Sequence, residues 1–167
     1  WGVAAYGSTL RFGDIDGDGW DDVCARAANG VACWRSTGAA FGEALAGPAL
    51  GDEDGWDAPG SFWTIRLADV DGDGRDDLCG RGPEGFRCWP STGLGFGAPS
   101  LLAELSDAAG WDAPAYSGTT RMADVDGDGS ADLCARTSDG IRCWRWRGTG
   151  LGDRMFGPAW TDARGWD

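Results

Sequence analysis

Aspartates crowd into three runs: DIDGDGWDD from Asp14 to Asp22, DVDGDGRDD from Asp69 to Asp77, and DVDGDGSAD from Asp124 to Asp132. So many carboxylates in one short loop repel each other unless a cation sits among them. The spacing suits Ca²⁺, a hard ion that takes six to eight oxygen ligands. In the first run Asp14, Asp16 and Asp18 supply side-chain oxygens from loop positions 1, 3 and 5, Trp20 a backbone carbonyl from position 7, and Asp22 a carboxylate from position 9. The second run offers Asp69, Asp71, Asp73, the carbonyl of Arg75, and Asp77. The third offers Asp124, Asp126, Asp128, the carbonyl of Ser130, and Asp132. Glycines at positions 4 and 6 let the chain wrap tightly around the ion. An EF-hand would place a glutamate at position 12 and helices on both flanks. Here position 12 is Ala25, Gly80 or Ala135, and the flanks read as short strands. The expectation is three structural Ca²⁺ per chain in loops that are not EF-hands.

The rest of the composition narrows the function by exclusion. There are 27 acidic residues against 14 Lys plus Arg, a formal charge of −13, so no cationic surface exists to neutralise nucleic-acid phosphates. Three divalent ions would offset nearly half of that charge, which couples folding to metal binding. The chain has no histidine, which removes a His-dependent triad and a His zinc site. No apolar run approaches the length of a membrane span, and no membrane insertion is expected. Most acids are committed to metal, so carboxylate-pair glycoside hydrolysis has little to work with. A non-catalytic protein follows.

The elements that position these loops repeat with a period of 55 residues. Asp14, Asp69 and Asp124 share it, as do Cys24, Cys79 and Cys134, and Cys33, Cys88 and Cys143, each of the latter followed by a tryptophan. The phase continues through Gly55-Trp56-Asp57, Gly110-Trp111-Asp112 and Gly165-Trp166-Asp167, and Trp1 and Tyr6 fit it too. Residues 1–167 therefore form one repeat domain with units near 1–55, 56–110 and 111–167. Within a unit the pattern is almost entirely β. A first strand over Thr64–Ala68 enters the acidic loop and a second over Asp77–Arg81 leaves it. A turn at Pro83-Glu84-Gly85 returns the chain through Phe86–Trp89, and a fourth strand falls near Phe96 to Leu102. The best helical segment, Leu101–Leu105, is one or two turns at most. In the third unit the Phe-Gly pair moves to Phe156-Gly157, and an outer strand on a different path is expected there.

Six cysteines fall as three pairs nine residues apart, each straddling a hairpin turn. Of the 15 possible pairings the repeat selects Cys24–Cys33, Cys79–Cys88 and Cys134–Cys143. Disulfides together with calcium loops point to an oxidising, calcium-rich compartment, hence a secreted or extracellular protein whose leader is removed or lies outside this sequence. Eleven tryptophans are heavy usage. Trp34, Trp89 and Trp144 face the opposite side of their strand from the neighbouring cysteine and suit a core. Trp56, Trp111 and Trp166, with Asp57, Asp112 and Asp167 beside them, suit carbohydrate: an indole face for a sugar ring and a carboxylate for its hydroxyls. They equally suit plugs that close one unit against the next.

The D-x-D-G-D-G-x-x-D runs followed by Leu or Val, with Phe96-Gly97-Ala98-Pro99 downstream, resemble the FG-GAP or VCBS-type repeat. Phe41-Gly42 and Phe156-Gly157-Pro158-Ala159 are looser copies. The resemblance implies a four-stranded β-propeller blade per repeat, with the aspartates above as metal ligands. The paired cysteines and GWDAP element look like a secreted bacterial subgroup, and similar repeats build propeller lectins. Closed propellers have about four to eight blades, and three units fall short of that. Two chains closing a six-bladed ring as a homodimer, a slice of a longer propeller, an open array of units, and a compact threefold fold like a β-trefoil all remain open. The function implied is a multivalent, lectin-like module that binds glycans or glycoconjugates. The alternative is a structural or protein-binding propeller appended to a secreted enzyme.

Overall fold

The structure is a computed structural model that describes residues 3–147 and 150–166; Trp1 and Asp167 lie outside the described residues. Each unit opens on a single helical turn: α1 (Ala4–Gly7), α2 (Pro59–Phe62) and α3 (Pro114–Ser117). These turns were not expected from a chain that reads as almost wholly β. The Ala-Pro pairs explain two of them, because proline at the first helical position has its φ already set and lacks only a donor the helix would leave unpaired.

Four antiparallel strands follow in every unit. The first sheet holds β1 (Arg11–Gly13), β2 (Asp22–Ala27), β3 (Gly30–Ser36) and β4 (Phe41–Ala46). The second holds β5 (Arg66–Ala68), β6 (Asp77–Gly82), β7 (Gly85–Trp89) and β8 (Ser100–Leu102). The third holds β9 (Arg121–Ala123), β10 (Asp132–Thr137), β11 (Gly140–Trp146) and β12 (Leu151–Phe156). Strand order within each sheet follows the chain, and no strand of one unit joins the sheet of another, so the compact trefoil-like alternative does not apply. The acidic loop links the first and second strand of every sheet. The fourth strand of the middle unit is shorter than expected, reduced to an isolated bridge between Ser91 and Phe96 and then β8. Pro90 stands where the other units have Arg35 and Arg145, and without an N–H it ends the ladder at Trp89. The third unit, expected to differ, keeps the same outer strand and bulge as the first.

The three cysteine pairs sit opposite each other in the β2–β3, β6–β7 and β10–β11 ladders and are bonded as expected, with Cα separations of 4.0, 4.1 and 4.0 Å. The first strands line up side by side, β1 next to β5 and β5 next to β9. Arginines stitch them together. Arg11 donates from Nε to the Ile65 carbonyl at 2.6 Å, and Arg66 from Nη2 to that of Thr120 at 3.0 Å. Burial, and then the like charges of Arg11 and Arg121, push the Arg66 guanidinium down to about 10.

Apolar side chains fill the two junctions between sheets. Ile15, Cys24, Cys33 and Leu50 of the first unit meet Trp56, Ile65 and Leu78 of the second. Val70, Phe86 and Leu105 of the second meet Trp111, Leu133 and Trp144 of the third. A buried arginine ties the helical turn that opens each unit to the segment that closes the same unit. Arg81 donates to the carbonyls of Leu105 at 2.9 Å and Gly60 at 3.0 Å and pairs with Asp107. Arg26 does the same with Leu50, Ala5 and Asp52. Replacing Arg81 by Ala leaves two buried carbonyls without donors. Urea unfolding should show a loss of about 3 kcal/mol, and a loss within error of zero would contradict the clamp.

Candidate functional site

The three acidic loops have the same internal architecture. At position 1 the Asp69 carboxylate accepts the amides of Gly72 at 2.7 Å, Asp73 at 3.2 Å and Gly74 at 2.9 Å. Asp14 and Asp124 hold their own loops in the same way. The turn needs left-handed backbone at positions 4 and 6, where Gly72 and Gly74 have φ of 76° and 86°. At position 9 the Asp77 carboxylate accepts the amides of Val70 at 2.9 Å and Ser91 at 2.6 Å, which joins the start of the loop to the end of the third strand. Asp22 accepts from Ile15 and Ser36, and Asp132 from Val125 and Trp146. Trp20, Arg75 and Ser130 are held at position 7 by their amides, which donate to Asp18, Asp73 and Asp128.

Each loop gathers three carboxylates with a ligand oxygen within 4.8 Å of the others: Asp14, Asp16 and Asp18; Asp69, Asp71 and Asp77; Asp124, Asp126 and Asp132. Oδ1 of Asp16 is buried with no hydrogen-bond partner, an oxygen set for an acceptor's role with no donor to meet. Burial pushes the Asp77 carboxyl up to about 7, with repulsion from Asp71 and Asp73 adding to it and the two amides opposing it. Arginines surround the loops: Arg35 lies 3.5 Å from Asp16, and Arg147 lies 3.3 Å from Asp128 and 3.4 Å from Asp126. An all-oxygen donor set of this kind fits a hard divalent cation.

A second repeated feature lies at the junctions. Between the first and second sheets a cleft of about 550 Å³ is lined by Trp56, Glu84, Arg87, Trp89 and Glu53. Between the second and third, a smaller one of about 160 Å³ is lined by Trp111, Tyr116, Asp139 and Arg142. Trp56 and Trp111, Glu84 and Asp139, and Arg87 and Arg142 are equivalent across the period of 55. Arg87 pairs with Glu84, while Arg142 lies 3.7 Å from Asp139 and its buried Nε has no hydrogen-bond partner.

Of the residues proposed from sequence for carbohydrate, Trp56, Asp57, Trp111, Asp112 and Trp166 are not brought together, and Asp167 lies outside the described residues. Trp56 and Trp111 are 2 % and 8 % exposed, so they are junction plugs that offer the clefts only an edge. Asp57 and Asp112 are exposed and line neither cleft. Trp166 is half exposed and stacks on Trp160 with centroids 5.0 Å apart. Sequence reasoning missed Glu84, Asp139, Arg87 and Arg142. The signal was present, since both pairs recur at the period, but the acid is Glu84 in one unit and Asp139 in the next, so the match is not one of identical residues.

Residues 14–80, which span one period from the first acidic loop to just past the second, match the FG-GAP-like repeat. No curated protein matches the chain in sequence. Among solved structures, a lectin from Agrocybe aegerita, described for specific recognition of non-reducing terminal N-acetylglucosamine, superposes with a TM-score of 0.78 at 21 % identity. That match covers 93 % of this chain and 39 % of the lectin's, so the chain spans about two-fifths of that structure's length. The Photorhabdus luminescens Tc holotoxin pore matches with a TM-score of 0.58 at 21 % identity, over 93 % of this chain and 7 % of its own. The TcdB2–TccC3 complex matches at 0.54 and 24 %, over 84 % and 7 %. The likeness is one of fold, a run of propeller blades. No helix among the described residues is long and apolar enough to cross a membrane.

The position-9 aspartate of the FG-GAP-like loop has a structural role even without an ion. Asp77→Ala strands the Val70 and Ser91 amides. In chelator it should destabilise the protein by about 2–4 kcal/mol in denaturant unfolding, with the exposed Asp73→Ala close to neutral as the contrast.

Proposed function

We propose that this is a secreted, calcium-stabilised, non-catalytic carbohydrate-binding protein, multivalent through repeated clefts and through pairing of two chains. The observation that carries the reading is the junction cleft, built twice from a tryptophan, a carboxylate and a guanidinium at equivalent positions. A sugar offers apolar C–H groups and a fan of hydroxyls, for which the tryptophan edge supplies a small apolar contact, the carboxylate an acceptor and the guanidinium a fork of donors. Lectin-like fold similarity supports the choice of ligand class, and a terminal N-acetylglucosamine is the first sugar to try. Linked weak sites gain avidity by repetition.

Calcium belongs to the framework in this reading. Asp14, Asp16, Asp18 and Asp22 would hold one ion, Asp69, Asp71, Asp73 and Asp77 the second, and Asp124, Asp126, Asp128 and Asp132 the third, with the carbonyls of Trp20, Arg75 and Ser130 completing each shell. The ion would neutralise charge that otherwise opposes folding. Three disulfides support an oxidising, extracellular setting. A second reading, a protein-binding scaffold within a larger secreted protein, is favoured by the burial of Trp56 and Trp111 and by the self-pairing of Arg87 with Glu84.

Two measurements separate these. On a glycan array run in Ca²⁺, the wild type should give a defined signal, and Arg87→Ala with Arg142→Ala should weaken it roughly tenfold or more. Silence from folded, Ca²⁺-loaded wild type would leave the scaffold. For the metal, native mass spectrometry should count three Ca²⁺, and two in Asp69→Ala. Chelation should lower the melting temperature by about 2–4 °C for each kcal/mol of binding lost, and unchanged melting would remove calcium from the account.

A further inference from the structure

We propose, resting on carbohydrate as the ligand class, that the two junction clefts are unequal: Glu104 stands at the second as a built-in occupant, while the first is open and holds a neutral sugar more tightly. Glu104 thereby decides which cleft fills first.

The difference begins at one position of the repeat. Glu104 has alanine as its equivalent in both other units, Ala49 and Ala159. At the second junction its carboxylate accepts from the indole N–H of Trp144 and pairs with Arg154. Trp144 belongs to β11, so the second unit reaches across the junction and caps a tryptophan of the third. At the first junction a methyl group stands in that place. Trp89, the equivalent of Trp144, lines the cleft together with Ala49, and its indole N–H meets no acceptor among the described residues. Pro99 takes the position of Arg154, so the first junction has no guanidinium there either.

Burial and volume follow from this one exchange. Trp144 is 1 % exposed, whereas Trp89 is half-buried. The lining of the first cleft runs from Ala49 and Leu50 past Trp56 to Arg87 and Trp89 and encloses about 550 Å³. The second keeps Trp111, Asp139 and Arg142, but its lining stops short of Glu104 and Trp144, and about 160 Å³ is left. Sites for small molecules have volumes of about 300–1,000 Å³. The first cleft falls inside that range, and the second offers a ligand only the part beside Asp139 and Arg142.

The occupant also describes the group the first cleft would receive. Trp144 takes an oxygen acceptor from Glu104, and the open space beside Ala49 presents the Trp89 N–H to an oxygen of the sugar. A neutral oxygen suits it. Glu53, Asp54 and Glu84 border the first cleft against the single guanidinium of Arg87, which Glu84 already pairs. A carboxylate or sulfate on the sugar would meet like charge there, whereas a hydroxyl or acetamido oxygen would not.

The two indole N–H signals report the clefts separately in ¹⁵N-tryptophan NMR of the Ca²⁺-loaded protein, assigned through Trp89→Phe and Trp144→Phe. Without sugar, the Trp144 indole proton should exchange with water roughly tenfold or more slowly than that of Trp89. Glu104→Ala should abolish the difference, and Ala49→Glu should slow Trp89. Alanine at this position in two units makes Glu104→Ala a residue the fold already accommodates, and Ala49→Gln replaces Ala49→Glu should that variant fail to fold. On titration with N-acetylglucosamine, the Trp89 signal should move at a concentration roughly tenfold lower than the Trp144 signal. Glu104→Ala should bring the two midpoints together, and glucuronic acid should act on Trp89 more weakly than N-acetylglucosamine. Equal exchange of the two indoles, equal midpoints in the wild type, midpoints that stay apart in Glu104→Ala, or glucuronic acid acting as strongly would each overturn the role of Glu104. Silence of both signals towards sugar would overturn the carbohydrate reading of the clefts itself. The two failures are told apart because exchange is measured with no sugar present.

Discussion

A four-stranded sheet of this length has two apolar faces and no means of covering either by itself. Every other feature of the protein answers that constraint. The disulfide of one unit is buried by the tryptophan and first-strand residues of the next, as Cys24–Cys33 is beneath Trp56 and Ile65. Stability therefore resides in the junctions as much as in the sheets, and a unit cut free of its neighbours would expose the surfaces that hold it together.

Charge is the opposing constraint. Polar loops at the same end of three adjacent sheets bring acidic runs side by side, and the backbone of one loop is hydrogen-bonded to the next through Asp76 and Ala131. Amides directed at Asp14, Asp69 and Asp124 shape each loop, and the buried position-9 aspartates lock it to its sheet. A cation bound there would screen its own loop and lower the cost of packing the next against it. Loop, junction and cleft are one system: the side chains that line a cleft come from two units whose relative placement the loops and junctions set.

The repeat made much of this legible. The disulfide pairing, the four-strand order and the acidic loops followed from residues 55 apart. Helical turns at the unit starts were not read because four residues carry no apolar period, and only the Ala-Pro pairs gave a local cue. The buried arginines Arg26, Arg81 and Arg136 were also passed over, although they recur at the period, because arginine is ordinarily a surface residue and only the folded chain reveals the carbonyls it serves. The residues proposed for carbohydrate are separated in the fold. Trp56 and Trp111 lie at the clefts, but packing against Gly80 and Gly82 consumes the Trp56 ring, and the carboxylate and guanidinium that face the cleft come from a hairpin further along the same unit. Nothing local to Gly55-Trp56-Asp57 encodes that neighbour.

The claim on which the account rests is that sugar binds where two units meet. Isothermal titration of the Ca²⁺-loaded protein with the best glycan from an array tests it by stoichiometry. In the proposed reading the Arg87 and Arg142 clefts would each take one ligand, and the first unit has Ala32 and Asn29 where those clefts have the arginine and the acid. The account predicts two glycans per chain. A stoichiometry of three, or of one, or the absence of heat from folded protein, would contradict it.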